Sequence, residues 1–259
     1  MRSVLEQLKD FGDVAVAIDR AEMSLYRVGP VWVLHMHDKE NRFNPAFTAA
    51  LEDAFRLVKA KSRGEPAALV TIGHTKYYSN GVDLEWSKSQ GTNSSIEQVE
   101  GGLQQALKEL LEFPMPTIAA VNGHAFGGGC TLAIAHDYRV MREDRGWICV
   151  PAISLGISLP PAFIAMIVQK VGDKAARQLM QTAHRFTGRQ AHHAGIVDAA
   201  VAEEEVLRWA VEKGMATAKH ARNGDTFANI KRAMYAPVIA GLDQGSVAFI
   251  RGTKHSANL

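Results

Sequence analysis

The stretch Thr117–Asp137, TIAAVNGHAFGGGCTLAIAHD, constrains this chain more than any other. It begins as a short apolar run, Thr117 to Val121, with the pattern of a buried strand. Asn122-Gly123 breaks that pattern, and three consecutive glycines follow, Gly127, Gly128 and Gly129. Thr131–Ala135 is then apolar and free of Gly or Pro, which predicts a helix. Glycines between a strand and a helix strip side chains from the place where the backbone turns. Bare N–H groups then point outward at the positive end of a helix dipole. Such a place can hold a phosphate, a carboxylate or an oxyanion. Simple steric relief at a tight turn is the competing reading of the same glycines.

Several nucleotide and nucleophile patterns are excluded. A phosphate loop needs Gly-Lys-Ser/Thr after its glycines, and Cys130-Thr131 follows here. The dinucleotide pattern fails at Ala125, two residues after Gly123, and no G-x-S-x-G elbow occurs in the chain. What remains is a backbone anion site without an attached nucleophile.

The chain has 259 residues, 47% hydrophobic and 22% charged, with a net charge of +2. That suits one large globular domain, or one domain with a small appendage. A balance so near neutral gives no argument for nucleic acid or an anionic membrane as partner. Cys130 and Cys149 sit in apolar surroundings without a metal-ligand pattern and read as reduced, buried small hydrophobes. No apolar run reaches signal-peptide or membrane-spanning length. Ala257-Asn258-Leu259 shares a small first residue and a final Leu with the Ser-Lys-Leu peroxisomal address but lacks its Lys, so cytoplasm is the expected location.

Along the chain, Val14–Ile18, Met23–Val28 and Val31–His37 read as a strand meander with a Gly29-Pro30 turn. Asn44-Pro45 predicts a capped helix start, and Phe47, Leu51, Ala54, Phe55 and Val58 follow at helical spacing. Ala67–Ile72 is a continuous apolar strand. Asn80-Gly81 marks a turn, with Asp83 placed to cap a short helix. Ser87–Ser95 is polar and Gly/Ser-containing and reads as a mobile loop before a long helix, Ile96–Phe113. Beyond the opening stretch come short strands at Tyr138–Met141 and Trp147–Val150, then a helix opened by Pro160-Pro161 and running to Val171, one opened by Asp173 over Lys174–Thr182, and a short one over Gly188–Ala194. Ile196–Ala202 is extended. Helices at Glu203–Ala221, Thr226–Ile239 and Gln244–Thr253 close the chain. A strand-rich first half and helix-rich second half argue for an α/β core with helices appended.

Two glycine turns thus each follow a buried strand, SNGVDL at Ser79–Leu84 and NGHAFGGGC at Asn122–Cys130. With NRFNP at Asn41–Pro45, HDYRVM at His136–Met141 and GIVD at Gly195–Asp198, this pair resembles the crotonase (enoyl-CoA hydratase/isomerase) superfamily from about residue 14 to residue 240. SNGVDLEW and RVMREDRGW are similar to the plant-type branch of the 3,2-trans-enoyl-CoA isomerases. The resemblance implies an α/β fold, a crotonase-type spiral of ββα units over residues 1–200, with a C-terminal helical trimerisation or lid region over 201–259. It implies a homotrimer or hexamer and an acyl-CoA ligand; coenzyme A is then part of the substrate, and no separate cofactor or metal is expected. The N–H groups of Val82 and Gly128 would form an oxyanion hole. Arg42, Tyr78, Ser79, Asn80, Gly81 and Gly127 would line the CoA side, Arg42 near phosphate.

One departure matters. The family's two catalytic glutamates fall, on this resemblance, at Thr131 and Ala152, and Pro160 occupies a position where some relatives place an Asp. Loss of a positioned acid or base costs about 10²–10⁴ in rate. Asp83, Glu85, Glu97, Glu100, His124, the His192-His193 pair, Tyr77 and Tyr78 are the candidate replacements, with capping, solvation and packing as their ordinary roles. Three readings stay open: an enoyl-CoA isomerase or hydratase, an acyl-CoA-binding protein without turnover, and another enolate reaction such as decarboxylation or thioester hydrolysis.

Overall fold

A computed structural model describes residues 2–90 and 93–245 of the chain, the side chains of 93–97 excepted. After a short helix α1 (Val4–Leu8), an antiparallel meander runs through β1 (Val14–Asp19), β2 (Met23–Val28) and β3 (Val31–Met36). From β3 onward the chain repeats one move. A strand enters the large sheet, a short strand joins a small sheet, and a helix returns. β3 leads to β4 (Arg42–Phe43) and α2 (Pro45–Lys61). β5 (Ala68–Ile72) leads to β6 (Tyr77–Ser79), β7 (Gly81–Val82), α3 (Leu84–Ser89) and α4 (Asn93–Leu111). β8 (Thr117–Val121) leads to β9 (His124–Phe126) and α5 (Gly128–Ala135). β10 (Tyr138–Arg142) leads to β11 (Ile148–Cys149), a 3-10 turn at Pro151–Leu155 and α6 (Pro161–Val171).

The large sheet has the order β1-β2-β3-β5-β8-β10 and ends on β12 (Ala199–Val201), parallel from β3 on. The small sheets are β11-β9-β6 and β4-β7, both parallel. This is the crotonase-type spiral of ββα units. The central strands β5 and β8 are buried along their whole length because both faces of the sheet are covered there. Trp32, Leu34 and Met36 face one core with Ala119 and Val121, under α2, α4 and α5. Val31 and Val33 face the other with Ile118 and Ala120, under α9 (Val206–Thr217).

Between β11 and β12 lie α7 (Asp173–Gln181) and α8 (Gly188–His193), and the chain closes with α10 (Gly224–Met234) and α11 (Ala236–Asp243). The single helix expected over Thr226–Ile239 is divided at Tyr235. Pro237 explains the break, since it has no N–H to donate and its ring clashes with the preceding turn. The expected loop at Ser87–Ser95 is largely helical instead: α3 runs to Ser89, with Ser87 buried, and α4 starts at Asn93. The helix expected over Gln244–Thr253 falls mostly outside the described residues, as do Ala257–Leu259.

Candidate active site

Three strands meet where the two glycine turns meet. Asp83 N–H donates to Phe43 O at 2.9 Å, so the N–H of Val82, one residue earlier on β7, points away from β4. Gly128 is the first residue of α5, and its N–H has no partner within the helix. The turns touch backbone to backbone. A Cβ on Gly81, whose φ is +79°, would lie 2.7 Å from Phe126 O and 2.9 Å from Gly128 N. No residue but glycine fits there. Gly129 is equally confined, by the carbonyl of Ser79.

Side-chain amides hold this geometry. Buried Asn41, itself at φ +51°, donates from Nδ2 to Met36 O (3.1 Å) and Tyr78 O (3.0 Å). Its backbone carbonyl accepts the Ser79 hydroxyl at 2.6 Å. Asn122 exchanges two bonds with Gly73, donating to its O at 2.9 Å and accepting from its N at 3.1 Å. The ends of β5 and β8, from which the two turns spring, are thereby tied together.

A buried relay ties the turns a second time. His136 Nδ1 lies 2.8 Å from Leu132 O, which can only accept, so Nδ1 carries the hydrogen. Nε2 then accepts from Thr71 Oγ1 at 3.0 Å, and Thr71 Oγ1 accepts from the Tyr78 hydroxyl at 2.8 Å. Burial keeps the imidazole neutral, with its pKa down to about 3, and pushes the Tyr78 phenol up. Sequence reasoning missed Asn41 and His136 as positioning groups, since their partners lie up to 65 residues away.

In front of the two turns is a cavity of about 220 Å³. Arg42, Asn80, Gly81, Val82, Gly127, Gly128, Thr131 and Ala152 all line it, so the structure brings together eight of the ten expected residues. Tyr78 and Ser79 are the corrections. Both are fully buried behind the turn, the phenol spent on Thr71 and the hydroxyl on Asn41, and neither reaches the cavity. The rest of the wall is apolar: Leu84, Leu103, Phe126, Val150, Pro151, Leu155, Ile157, Leu159 and Phe163.

Its few polar side chains are already engaged. Thr131 Oγ1 donates back to Gly128 O at 2.9 Å. Arg42 Nε donates to Glu40 at 2.7 Å, and Asn80 Nδ2 donates to the same carboxylate at 2.8 Å, which holds Glu40 below the usual carboxylate range. Among the described residues lining the cavity there is no carboxylate and no histidine. Asp83 caps α3, accepting from Trp86 N at 2.9 Å. Glu85 is exposed and faces a neighbouring cleft. Glu100 is buried on α4 and does not line the cavity. His124 accepts from Trp147 N at 3.1 Å and stacks on Phe126, and His192 and His193 lie on the surface. The side chain of Glu97 lies outside the described residues. Cys130 and Cys149 are buried free thiols with their pKa raised by burial.

The sequence pattern described as "Enoyl-CoA hydratase/isomerase" matches residues 29–248, and the chain belongs to that family, within the crotonase superfamily and its isomerase-like branch. Enoyl-CoA delta isomerase 3 of Arabidopsis thaliana is 35% identical over 211 residues, covering 80% of this chain and 88% of the relative. Enoyl-CoA delta isomerase 2, peroxisomal, of the same plant is 35% identical over 213 residues, 79% of this chain and 88% of the relative. Among solved structures, an apo enoyl-CoA isomerase from Mycobacterium tuberculosis superposes with a TM-score of 0.77 at 26% identity, covering 87% of this chain and 96% of that one.

Proposed function

We propose that the chain acts on acyl-CoA thioesters as an enoyl-CoA isomerase or hydratase, with the thioester oxygen held on the N–H groups of Val82 and Gly128 as it gains charge. The observation that carries this reading is the contact of the two glycine turns at Gly81 and Gly128 in front of an apolar cavity. An enolate gathers its charge on one oxygen, and each preorganised donor supplies about 2.7–4 kcal/mol at the transition state. Relatives named delta isomerases favour moving a double bond over adding water. Arg42 and Asn80 then serve the CoA side, Arg42 by leaving Glu40 for phosphate, and coenzyme A is itself part of the substrate.

Conversion of a 3-enoyl-CoA to the 2-enoyl form, followed by chromatography, tests the reading. Gly128→Pro removes the N–H at the first helical position, where proline's fixed φ fits; because a Cβ there would come 2.9 Å from Leu103 Cδ2, its circular dichroism and CoA affinity are measured beside its rate. It is expected to lower kcat/KM by about 10²–10³. Equal turnover by this variant would exclude Gly128 as a donor.

A second reading, acyl-CoA binding without turnover, draws on the lack of any carboxylate or histidine among the described residues around the cavity. It is supported if crotonyl-CoA and 3-enoyl-CoA bind and stay unchanged while Ala152→Glu gains a rate, by about 10²–10⁴ over the parent. Carbon dioxide or free CoA released from a thioester panel would instead mark decarboxylation or hydrolysis. Assembly as a homotrimer or hexamer through residues 201–259 belongs to the same proposal. So does a cytoplasmic location, which imaging of the chain with its C-terminus free would test.

A further inference from the structure

Helix α5 carries the proposed anion site at one end and a group of buried cations at the other. Its last carbonyls have no acceptor role left inside the helix and take donors from elsewhere. Arg139 Nη1 donates to Ile134 O (3.3 Å) and His136 O (2.8 Å), and its Nε donates to Ile196 O (2.7 Å). Lys170, from α6, donates to the same His136 O at 3.1 Å, with its ammonium 4.5 Å from the centre of the Tyr235 ring. Lys231, from α10, pairs with Asp137 at 2.9 Å and donates to Leu110 O at 2.7 Å.

Two carboxylates face these three cations. Asp137 also accepts the N–H and hydroxyl of Thr117, and Asp198 lies 3.8 Å from Arg139. Lys170 is bonded to a carbonyl and an aromatic face rather than to a carboxylate. Its charge is therefore the one that tips the cluster to net positive.

We propose that Lys170 is a positioning residue for the anion site at the far end of α5, where its ammonium, bonded to the carbonyl of the capping residue His136 just past the C-terminal end of the helix, strengthens the hold of the Gly128 N–H on negative charge. The inference rests on the reading of Gly128 as an oxyanion donor. A cation at the C-terminus offsets the negative half of the helix dipole and leaves the positive half unopposed. The eight residues of α5 span about 12 Å. A unit charge at that range, acting through the interior with an effective dielectric near 20, changes an anion equilibrium about three- to tenfold.

The effect depends on pH. Burial, with Arg139 and Lys231 adding and Asp137 and Asp198 opposing, brings the Lys170 pKa down to about 7. Of the groups facing it, His136 is neutral above about pH 3, Lys231 is lowered by burial against Asp137, and the Tyr235 phenol is raised. Lys170 thus loses its charge as pH rises through neutrality, and the grip on an anion loosens. By reciprocity a bound enolate draws a proton back onto Lys170.

Acetoacetyl-CoA is the probe, since its bound enolate, formed by loss of an α-proton to buffer, absorbs in the near ultraviolet. The enolate-to-keto ratio is read from pH 6 to 9 in the wild type, Lys170→Met and Lys170→Arg, with the affinity for free CoA measured beside it. Lys170→Met is expected to lower the ratio about three- to tenfold at pH 6.5 with CoA affinity unchanged, and Lys170→Arg to keep it. The wild-type ratio should rise by less than tenfold per pH unit between 6.5 and 8, and both variants by the full tenfold. An unchanged ratio in Lys170→Met, or a slope in Lys170→Arg as shallow as the wild type's, overturns the inference and leaves the oxyanion reading standing. Acetoacetyl-CoA bound by the wild type with no enolate band overturns both.

Discussion

His136 has its proton on Nδ1 and its lone pair toward Thr71, and the bond it accepts from Thr71 is lost if Nε2 gains a second proton. Its pKa of about 3 lies well below the ordinary 6.5, because burial disfavours the charged ring. His35 is lowered to about 3 as well, by burial first and then by His37 and His74. The unfolded chain therefore binds protons that the folded one refuses. Stability from these two groups is complete above about pH 6.5 and drains away as pH falls toward 3. Between pH 7.5 and 5.5 each histidine is expected to cost about 1 kcal/mol. Urea midpoints at the two pH values measure it, and His136→Asn should flatten the dependence. Thr71→Val leaves the Tyr78 hydroxyl and His136 Nε2 without their shared partner in the core. The expected loss is about 1–3 kcal/mol, read by the same urea titration at pH 7.5.

At the scale of elements, each end of the site begins with a cap. Asn44 Oδ1 accepts from Phe47 N at 3.0 Å, and Pro45 opens α2 behind it. Asn44→Ala is expected to cost about 1 kcal/mol in thermal or urea unfolding, as loss of such a cap does. These helices and the large-sheet strands were legible because their signals are local. Capping chemistry fits within four residues, and a strand covered on both faces must be a run like Ala68–Ile72. Of the small sheets only β11 was legible, inside the strand expected over Trp147–Val150. β4, β7 and β11 are two residues long, β6 and β9 three, and they pair only because the large sheet stacks their parents. The same limit governs the site. The resemblance implied Val82, Gly81 and Gly128, and all three line the cavity. Tyr78 and Ser79, implied by the resemblance to line the CoA side, turn inward instead, and a linear motif does not say which way a side chain turns. Asn41 stands in the NRFNP motif, and its work is done on the carbonyls of Met36 in β3 and Tyr78 in β6.

At the scale of the whole molecule, several large apolar side chains of the described residues stay exposed, Ile153 and Leu155 beside the cavity and four more on two neighbouring helices. Ile164 and Val168 on α6, and Ile230 and Met234 on α10, are each 38–56% exposed. Spacing of four places each pair on one helix face. The two helices are joined directly, since Gln169 Nε2 donates to Met234 O at 2.6 Å. A cluster of large aliphatic side chains in water is the ordinary mark of a surface that meets another protein. α6 contributes Phe163 to the cavity wall and Lys170 to the far end of α5, so whatever covers its outer face also steadies the site. If copies of the chain supply that cover, as the proposed homotrimer requires, Val168→Glu combined with Met234→Glu should break the assembly. Light scattering on eluted protein is expected to give a multiple of three chains for the parent and a single chain for the variant. The variant should also lose 3-enoyl-CoA turnover out of proportion to any change in its circular dichroism. A parent that elutes as a single chain at micromolar concentration would remove the trimer from the proposal and leave the apolar face for some other partner.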